Sequence, residues 1–160
     1  MAGEDNQSLK RRNVKPMKFS EFDGERWAEL QLYFDTAILP VTGLSGHESP
    51  DEATAALERL RDLLERVEVP FKGRTVTYPA LHYAAEGASA VDRIASGLKT
   101  AGFRHVIVVS LDRSLTTESG SVDLWIRPEP DGSPPEARDV SEAVRAMWKR
   151  RREETQPDAE

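Results

Sequence analysis

The residues best able to do chemistry in this sequence lie in two short polar segments, each directly after an apolar run. The first segment contains Ser45, Gly46, His47 and Glu48, and the second contains Asp112, Arg113 and Ser114. His47 offers an imidazole base, and the two carboxylates could accept a proton or bind a divalent metal. The helix predicted to begin after Ser49 adds backbone amide donors for an anion. These residue types suit ligand binding or hydrolysis.

Their spacing does not specify a known reaction. The sequence contains no GxGxxG fingerprint, no P-loop with its lysine, no GxSxG elbow and no HExxH pair. We therefore assign no catalytic residue, no metal ligands and no cofactor. A scaffold whose polar edge serves packing is favoured over a catalyst.

Apolar runs predict the strands that position these segments. Residues 34–41 and 106–109 are nearly continuous apolar stretches, as in parallel strands covered on both faces. Residues 75–78 are rich in β-branched and aromatic side chains, and residues 121–127 alternate with period two, as in a strand near an edge.

Helices are predicted between the strands. Ser49 is an N-cap, Pro50 is suited to the first helical position, and Glu52 completes a capping box. The helix should run from residue 50 to about 67, with an apolar side formed by Ala53, Ala56, Leu57, Leu60, Leu63, Leu64 and Val67. Two further helices are expected from residue 89 to about 101 and from about 136 to 152. A short helix near the start would carry Phe22, Trp27, Leu30 and Tyr33 on one side.

This order of elements predicts an α/β fold, a small three-layer sandwich with helices on both faces of a mostly parallel sheet of about four strands. Right-handed crossovers give the central strand order 2-1-3, with a topological switch point between strands 1 and 3. The two polar segments would meet there, at the carboxyl edge of the sheet. Ligands usually bind at this place in open α/β folds, so the seven residues form a candidate ligand-binding cleft.

Length and composition limit the remaining possibilities. The chain has 160 residues, a formal net charge of −6 and no cysteine, which excludes disulfides and thiolate metal sites. No apolar run reaches the roughly 20 residues of a membrane span, and the start lacks the apolar core of a secretory signal. We expect a cytoplasmic protein with a disordered basic leader at residues 1–19, one α/β domain at 20–152 and a disordered tail at 153–160.

Basic residues cluster in the leader and at the predicted end of the last helix. The leader lacks interleaved aromatic residues, so nucleic-acid binding is not predicted. The last helix ends in the cluster Trp148, Lys149, Arg150, Arg151 and Arg152. Complementing the helix dipole and aiding solubility is the default interpretation of this cluster. The alternatives are an acidic partner or weak contact with an anionic membrane surface.

Three segments carry a resemblance to a known family: residues 33–40 (YFDTAILP), residues 71–74 (FKGR) followed by Pro79, and the apolar strand after Gly102 and Phe103. Over roughly residues 27–127 the chain resembles the YpiF-type family of small uncharacterised bacterial proteins. That family has no assigned activity and hence no functional residues to transfer. Its members are often encoded beside the menaquinol–cytochrome c reductase of Gram-positive bacteria, which implies an accessory role in respiratory-complex expression or assembly.

A second resemblance is local. Residues 35–50 are similar to the opening strand and loop of creatininase-type amidohydrolases, in which a glutamate-any-histidine pair binds metal. Here Ser45 stands where that glutamate is expected, two residues before His47. His82 and His105 do not reproduce the remaining ligands, and the chain is much shorter than that family.

Two functional hypotheses follow. The leading one is a non-enzymatic accessory or interaction protein with an unidentified protein partner, which predicts tolerance of His47→Ala and Asp112→Ala. The alternative is a small-molecule-binding or metal-dependent hydrolytic enzyme that uses the loops after strands 1 and 3. It predicts a ligand or metal that raises the melting temperature, and loss of that effect in the same two variants.

Overall fold

A computed structural model of the chain describes residues 18–83 and 87–155, with side chains described as far as residue 150. The fold is α/β, as predicted. Its strands are β1 (Thr36–Val41), β2 (Thr75–Thr77), β3 (His105–Ser110) and β4 (Leu124–Ile126). Its helices are α1 (Gly24–Leu30), α2 (Pro50–Glu68), α3 (Gly87–Thr100) and α4 (Ala137–Thr155), and a 3₁₀ turn at Phe19–Glu21 precedes α1.

The four strands form one parallel sheet in the order β2-β1-β3-β4. The predicted central order 2-1-3 is therefore confirmed, and so is the switch point between β1 and β3. These two strands pair along their whole length, from Thr36 beside His105 to Val41 beside Ser110. Every residue of both strands is buried, which explains why their sequences are almost continuously apolar.

Each face of the sheet has its own hydrophobic core. Ile38 and Ile107 lie on the face covered by α2 and α4, in a cluster with Leu63 and Val144. The neighbouring β1 residues Ala37 and Leu39 lie on the opposite face, packed with the α3 residues Val91, Ala95 and Leu98. Helices on both faces make the three layers that the order of elements predicted.

The ends of α2 follow the predicted signals, but its apolar side is narrower than expected. Ser49 and Glu52 form the capping box, in which the Ser49 amide donates to the Glu52 carboxylate over 3.1 Å. Leu57 is 46% exposed and was wrongly placed on the buried side. Tyr33 was also misplaced, because α1 ends at Leu30 and Tyr33 follows in an exposed turn.

Trp148, the aromatic member of the basic cluster, lies inside the fold. Trp148 is only 9% exposed, its indole Nε1 donates to Thr36 Oγ1 over 2.9 Å, and its ring packs edge-on against Phe71. Trp148 therefore joins α4 to the start of β1 and is not available to a membrane. None of the described helices is long and apolar enough to cross a membrane.

The terminal predictions fall partly beyond what the structure describes. Residues 1–17 of the predicted leader and residues 156–160 of the predicted tail lie outside the described residues. The last two residues of the predicted leader are described: Lys18 forms one parallel bridge to Thr77, and the Phe19 ring stacks near Tyr78. Helix α4 continues to Thr155, three residues past its predicted end at Arg152.

Candidate functional site

Three loops meet at the carboxyl edge of the sheet because β1, β2 and β3 all run in the same direction. The Leu111 amide donates to the Val41 carbonyl over 3.2 Å, and the Thr42 amide donates to the Leu81 carbonyl over 3.1 Å. Gly43 sits against the β3 loop, where a Cβ added to it would lie 3.6 Å from the Asp112 Cβ. The structure thus brings the two polar segments side by side.

Glu48 braces its own loop. Its carboxylate accepts hydrogen bonds from the Ser45 amide (2.8 Å), the Ser45 hydroxyl (2.9 Å) and the Gly46 amide (2.9 Å). These donors, the Ser45 amide first among them, lower the pKa of Glu48 to about 2. Glu48 is consequently ionised at neutral pH and is held by donors that an external anion would otherwise use.

His47 does not pair with Glu48. Its backbone amide donates to the Ser45 hydroxyl over 3.3 Å, and its imidazole is exposed. Within residues 18–83 and 87–155, no side chain or backbone group is hydrogen-bonded to that imidazole. The pair of neighbouring acid and base suggested by the sequence is therefore not assembled.

Asp112 shapes the β3 loop in the same manner. Its Oδ1 accepts from the Ser114 amide (2.9 Å) and the Ser114 hydroxyl (2.6 Å), while the Ser110 hydroxyl donates to the Asp112 carbonyl (3.0 Å). Arg113 turns toward the chain after β4, and its Nε donates to the Pro128 carbonyl over 3.0 Å. Ser114 and Arg113 thus stabilise the loops and contribute nothing to the lining of the cavity described next.

A cavity of about 220 Å³ lies between these loops and the start of α3. Its apolar wall comes from Val41, Leu44, Leu81 and Leu115, and its polar groups come from Ser45, Tyr83 and Asp112. The volume corresponds to about seven water molecules. It lies below the roughly 300–1,000 Å³ of pockets for drug-sized ligands, so it suits a small molecule.

A second, wider hollow of about 480 Å³ opens on the α2 side of the same loops. Gly43, Leu44 and Asp112 line both hollows and so form the ridge between them. The second hollow adds Glu48, Glu52 and Arg59. It is more open to solvent than the first, and for that reason the first is the better candidate for a binding site.

Tyr83 lines the cavity but is not among the seven candidate residues. Its backbone has φ = 54°, a left-handed value that is uncommon outside glycine, and its side chain is 62% exposed. A Cβ added to Gly46 would lie 3.9 Å from the Tyr83 ring, so the aromatic ring stands beside the β1 loop. The sequence signal for it is the neighbouring pair His82 and Tyr83 in the chain after the predicted strand at residues 75–78.

Thr42 was also missed, although it anchors the β2 loop. Its hydroxyl lies 3.1 Å from His82 Nδ1 and 3.3 Å from the Leu81 carbonyl, and it accepts from the Leu44 amide over 3.3 Å. His82 itself is exposed, in the chain that follows β2. Thr42 thus holds the β1 and β2 loops together directly beneath the cavity wall.

Arg127 supports the loop that carries Leu115. Its Nη2 donates to the Leu115 carbonyl over 2.6 Å, and its guanidinium lies 4.5 Å from the centroid of the Trp125 ring. Burial, with repulsion from Arg113, lowers the pKa of Arg127 below its usual range, and the Asp112 charge opposes the change. The hydrogen bond from Arg127 to the Leu115 carbonyl fixes the side of the cavity that faces β4.

No described group of three or more histidine, aspartate and glutamate side chains could hold a metal ion. His105 is the first residue of β3 and therefore lies at the opposite end of that strand from the cavity. The creatininase-type resemblance is not tested by any of these contacts.

A family model described as a protein of unknown function, DUF2487, matches residues 25–128, well over half of the chain. The chain belongs to the DUF2487 family. The DUF2487 match includes all four strands and every residue that lines the two hollows, and it ends before α4. No curated protein and no solved structure matches the chain.

Membership of DUF2487 confirms the expectation of an uncharacterised family. The YpiF-type identity and the creatininase-type likeness stay predictions. The DUF2487 description names no activity.

Proposed function

We propose that this DUF2487 domain is a non-catalytic binding protein whose ligand is a small molecule held in the carboxyl-edge cavity. One observation carries the proposal: loops from three parallel strands line an open cavity of about 220 Å³ at the switch point of the sheet. Open α/β sheets usually bind their ligands at this position.

The contacts of the candidate catalytic residues favour binding over chemistry. A general base works best when its pKa lies near the working pH, whereas the pKa of Glu48 is lowered to about 2. Asp112 is committed through Oδ1 to the Ser114 amide and hydroxyl. His47 stands outside the lining of the cavity. A hydrolytic reaction would require these residues to leave their loop-bracing positions.

The cavity wall indicates what kind of ligand would fit. The second carboxylate oxygen of Asp112 accepts no hydrogen bond from any described residue, so it is free to accept one from a ligand. Leu44, Leu81 and Leu115 provide apolar contact, and the Tyr83 ring provides a flat surface beside the β1 loop. We expect a small, largely neutral or cationic molecule that has at least one hydrogen-bond donor and an apolar part.

Thermal unfolding with a defined panel of amines, nucleosides, sugars and amino acids tests this function. A ligand present at 100 times its Kd stabilises the folded state by about 2.7 kcal/mol. For a domain of this size that raises Tm by roughly 5–15 °C. At least one class of compound should produce such a shift with the wild-type protein.

Paired variants locate the binding. Leu115→Phe fills the cavity and should abolish the shift, whereas Leu57→Phe makes the same change at an exposed position on α2 and should preserve it. If Leu115→Phe unfolds, Tyr83→Ala replaces it, with Tyr33→Ala as the control at another exposed tyrosine. The proposal fails if no compound stabilises the wild type, or if the shift survives both cavity variants.

An accessory role is compatible with a binding domain that performs no chemistry. The link to respiratory complexes comes only from the YpiF-type resemblance. Crosslinking and affinity capture from cytoplasm and membranes would test that link, because recovery of respiratory-complex subunits above a matched control is its direct consequence.

A further inference from the structure

We infer that the amino edge of the sheet is a docking surface for an anionic lipid bilayer. Because all four strands are parallel, the segments that precede them gather at this edge, opposite the ligand cavity. The turn after α1 lies here, as do the loops that follow α2 and α3. Helix α4 reaches the same edge, where Trp148 bonds to Thr36, the first residue of β1. This inference does not depend on the proposed ligand cavity.

Large apolar side chains protrude from this edge. Leu32 is 86% exposed and Tyr33 is 67% exposed, and they are adjacent in the turn between α1 and β1. The next residue, Phe34, is turned into the core and is only 8% exposed. Val69, just after α2, is 53% exposed. Leucine can enter the outer part of a bilayer, and tyrosine favours the level of the lipid headgroups.

Exposed cations flank these apolar residues. The backbone amide of Arg104 donates to the Asp35 carbonyl over 2.9 Å, which places Arg104 near the turn that carries Tyr33. Lys149 and Arg150 are exposed and directly follow Trp148, whose indole is fixed to Thr36. Three exposed cations from two segments therefore lie at the amino edge of the sheet.

Two carboxylates at the same edge are turned inward and paired. Asp35 is bonded twice by the Arg74 guanidinium, and the buried Glu68 accepts from the Thr77 hydroxyl over 2.8 Å. Glu29 on α1 and Glu65 on α2 are exposed nearby. Since the whole chain carries a net charge of −6, an anionic membrane would repel most of its surface and would select the orientation with this edge facing the lipid.

Lipid fits these features better than an acidic protein does. A bilayer supplies an apolar layer for Leu32 and Tyr33 and anionic headgroups for Arg104, Lys149 and Arg150 within one surface. It needs no shape-matched groove, only protruding apolar side chains beside cations. An acidic protein partner would account for the cations but would leave the two exposed apolar side chains without a specific role.

The test is cosedimentation of the full chain with vesicles of phosphatidylcholine alone, or of phosphatidylglycerol and phosphatidylcholine at about 3:7. We expect binding to the anionic vesicles only, and a decrease in binding as salt rises. Each basic side chain near an anionic surface contributes about fivefold in affinity, so Arg104→Gln, Lys149→Gln and Arg150→Gln combined should weaken binding about 100-fold. Leu32→Ser combined with Tyr33→Ser should also weaken it.

Matched controls separate this edge from general charge. Arg61→Gln, Arg93→Gln and Arg138→Gln together remove the same charge from exposed positions on α2, α3 and α4, and should leave binding nearly unchanged. Leu57→Ser is the apolar control, at an exposed position on α2 away from the amino edge. Circular dichroism checks that each variant is folded.

Several results would overturn the proposal. Equal loss of binding in the two triple variants would mean unspecific electrostatic attraction. Full binding by the variant of Arg104, Lys149 and Arg150 would place the binding elsewhere, for instance in the basic residues before Lys18. Failure of the wild type to bind anionic vesicles would also exclude lipid. If polyglutamate nevertheless bound with the same dependence on Arg104, Lys149 and Arg150, the edge would be assigned to an acidic protein.

Discussion

Arg74 forms a bidentate salt bridge with Asp35: Nε lies 2.9 Å from Oδ1, and Nη2 lies 3.0 Å from Oδ2. The same guanidinium lies 3.8 Å from the centroid of the Trp148 ring. Asp35 precedes β1, Arg74 precedes β2, and Trp148 belongs to α4. One arginine thus ties the starts of two strands to a helix that is remote in sequence.

Asp35→Asn should destabilise the protein in a pH-dependent way. Burial acts to raise the pKa of Asp35, but the bonds from Arg74 and Thr36 outweigh it, so the pKa falls below the ordinary 3.8. The stabilisation by the Asp35 carboxylate is therefore complete above the ordinary pKa of 3.8. It is lost as the pH falls through the lower pKa of the folded state. Because Arg74 is 40% exposed, we expect a loss of only about 1–2 kcal/mol at pH 7. Urea denaturation followed by circular dichroism at pH 7 and pH 3 measures both effects.

Asp62→Asn is the control for this prediction. Asp62 pairs with Arg61 over 3.5 Å, with both side chains more than half exposed. A surface pair of this kind is worth under about 1 kcal/mol. Equal losses in Asp35→Asn and Asp62→Asn would contradict the role assigned to Arg74.

The sequence was sufficient for much of the fold because burial leaves a strong pattern. Residues covered on both faces must be apolar throughout, which revealed β1 and β3. The capping box at Ser49 and Glu52 then located the start of α2. Two parallel strands with an intervening crossover leave few topologies, so the switch point followed from the order of elements alone.

The sequence could not reveal how individual side chains turn. Helical periodicity puts Trp148 on the apolar side of α4, but it does not identify Thr36, 112 residues away, as the partner of the indole. In the same way, the type of residue at Glu48 suggests a catalytic carboxylate. Its actual role depends on a loop that folds back so that Ser45 and Gly46 donate to it. Such contacts depend on backbone geometry, which local composition does not encode.

Glu48→Gln should weaken the β1 loop at neutral pH and have less effect in acid. The pKa of Glu48 is lowered from 4.5 to about 2, so its contribution to stability is present above about 4.5 and is lost as pH falls toward 2. Titration of the Glu48 carboxyl carbon by NMR should give a midpoint near 2.

The stability gap between wild type and Glu48→Gln should close over the same pH range. Glu58→Gln, at an exposed position on α2, is the matched control for removing a surface carboxylate. A carboxyl midpoint near 4.5 for Glu48 would mean that the loop does not hold this carboxylate in solution.

Gly43→Ala should lower the free energy of unfolding of the protein, and Gly97→Ala should raise it. Gly43 has φ = +71°, and its added Cβ would meet Asp112 at 3.6 Å, an ordinary contact, so the penalty is backbone strain of about 1–2 kcal/mol. Gly97 lies inside α3 with nothing within 4 Å of an added Cβ, so alanine there should stabilise by up to about 1 kcal/mol. Urea denaturation of both variants gives the two signs. A neutral Gly43→Ala would show that this loop is free to leave its left-handed conformation, and the ridge between the two hollows would then not be a fixed wall.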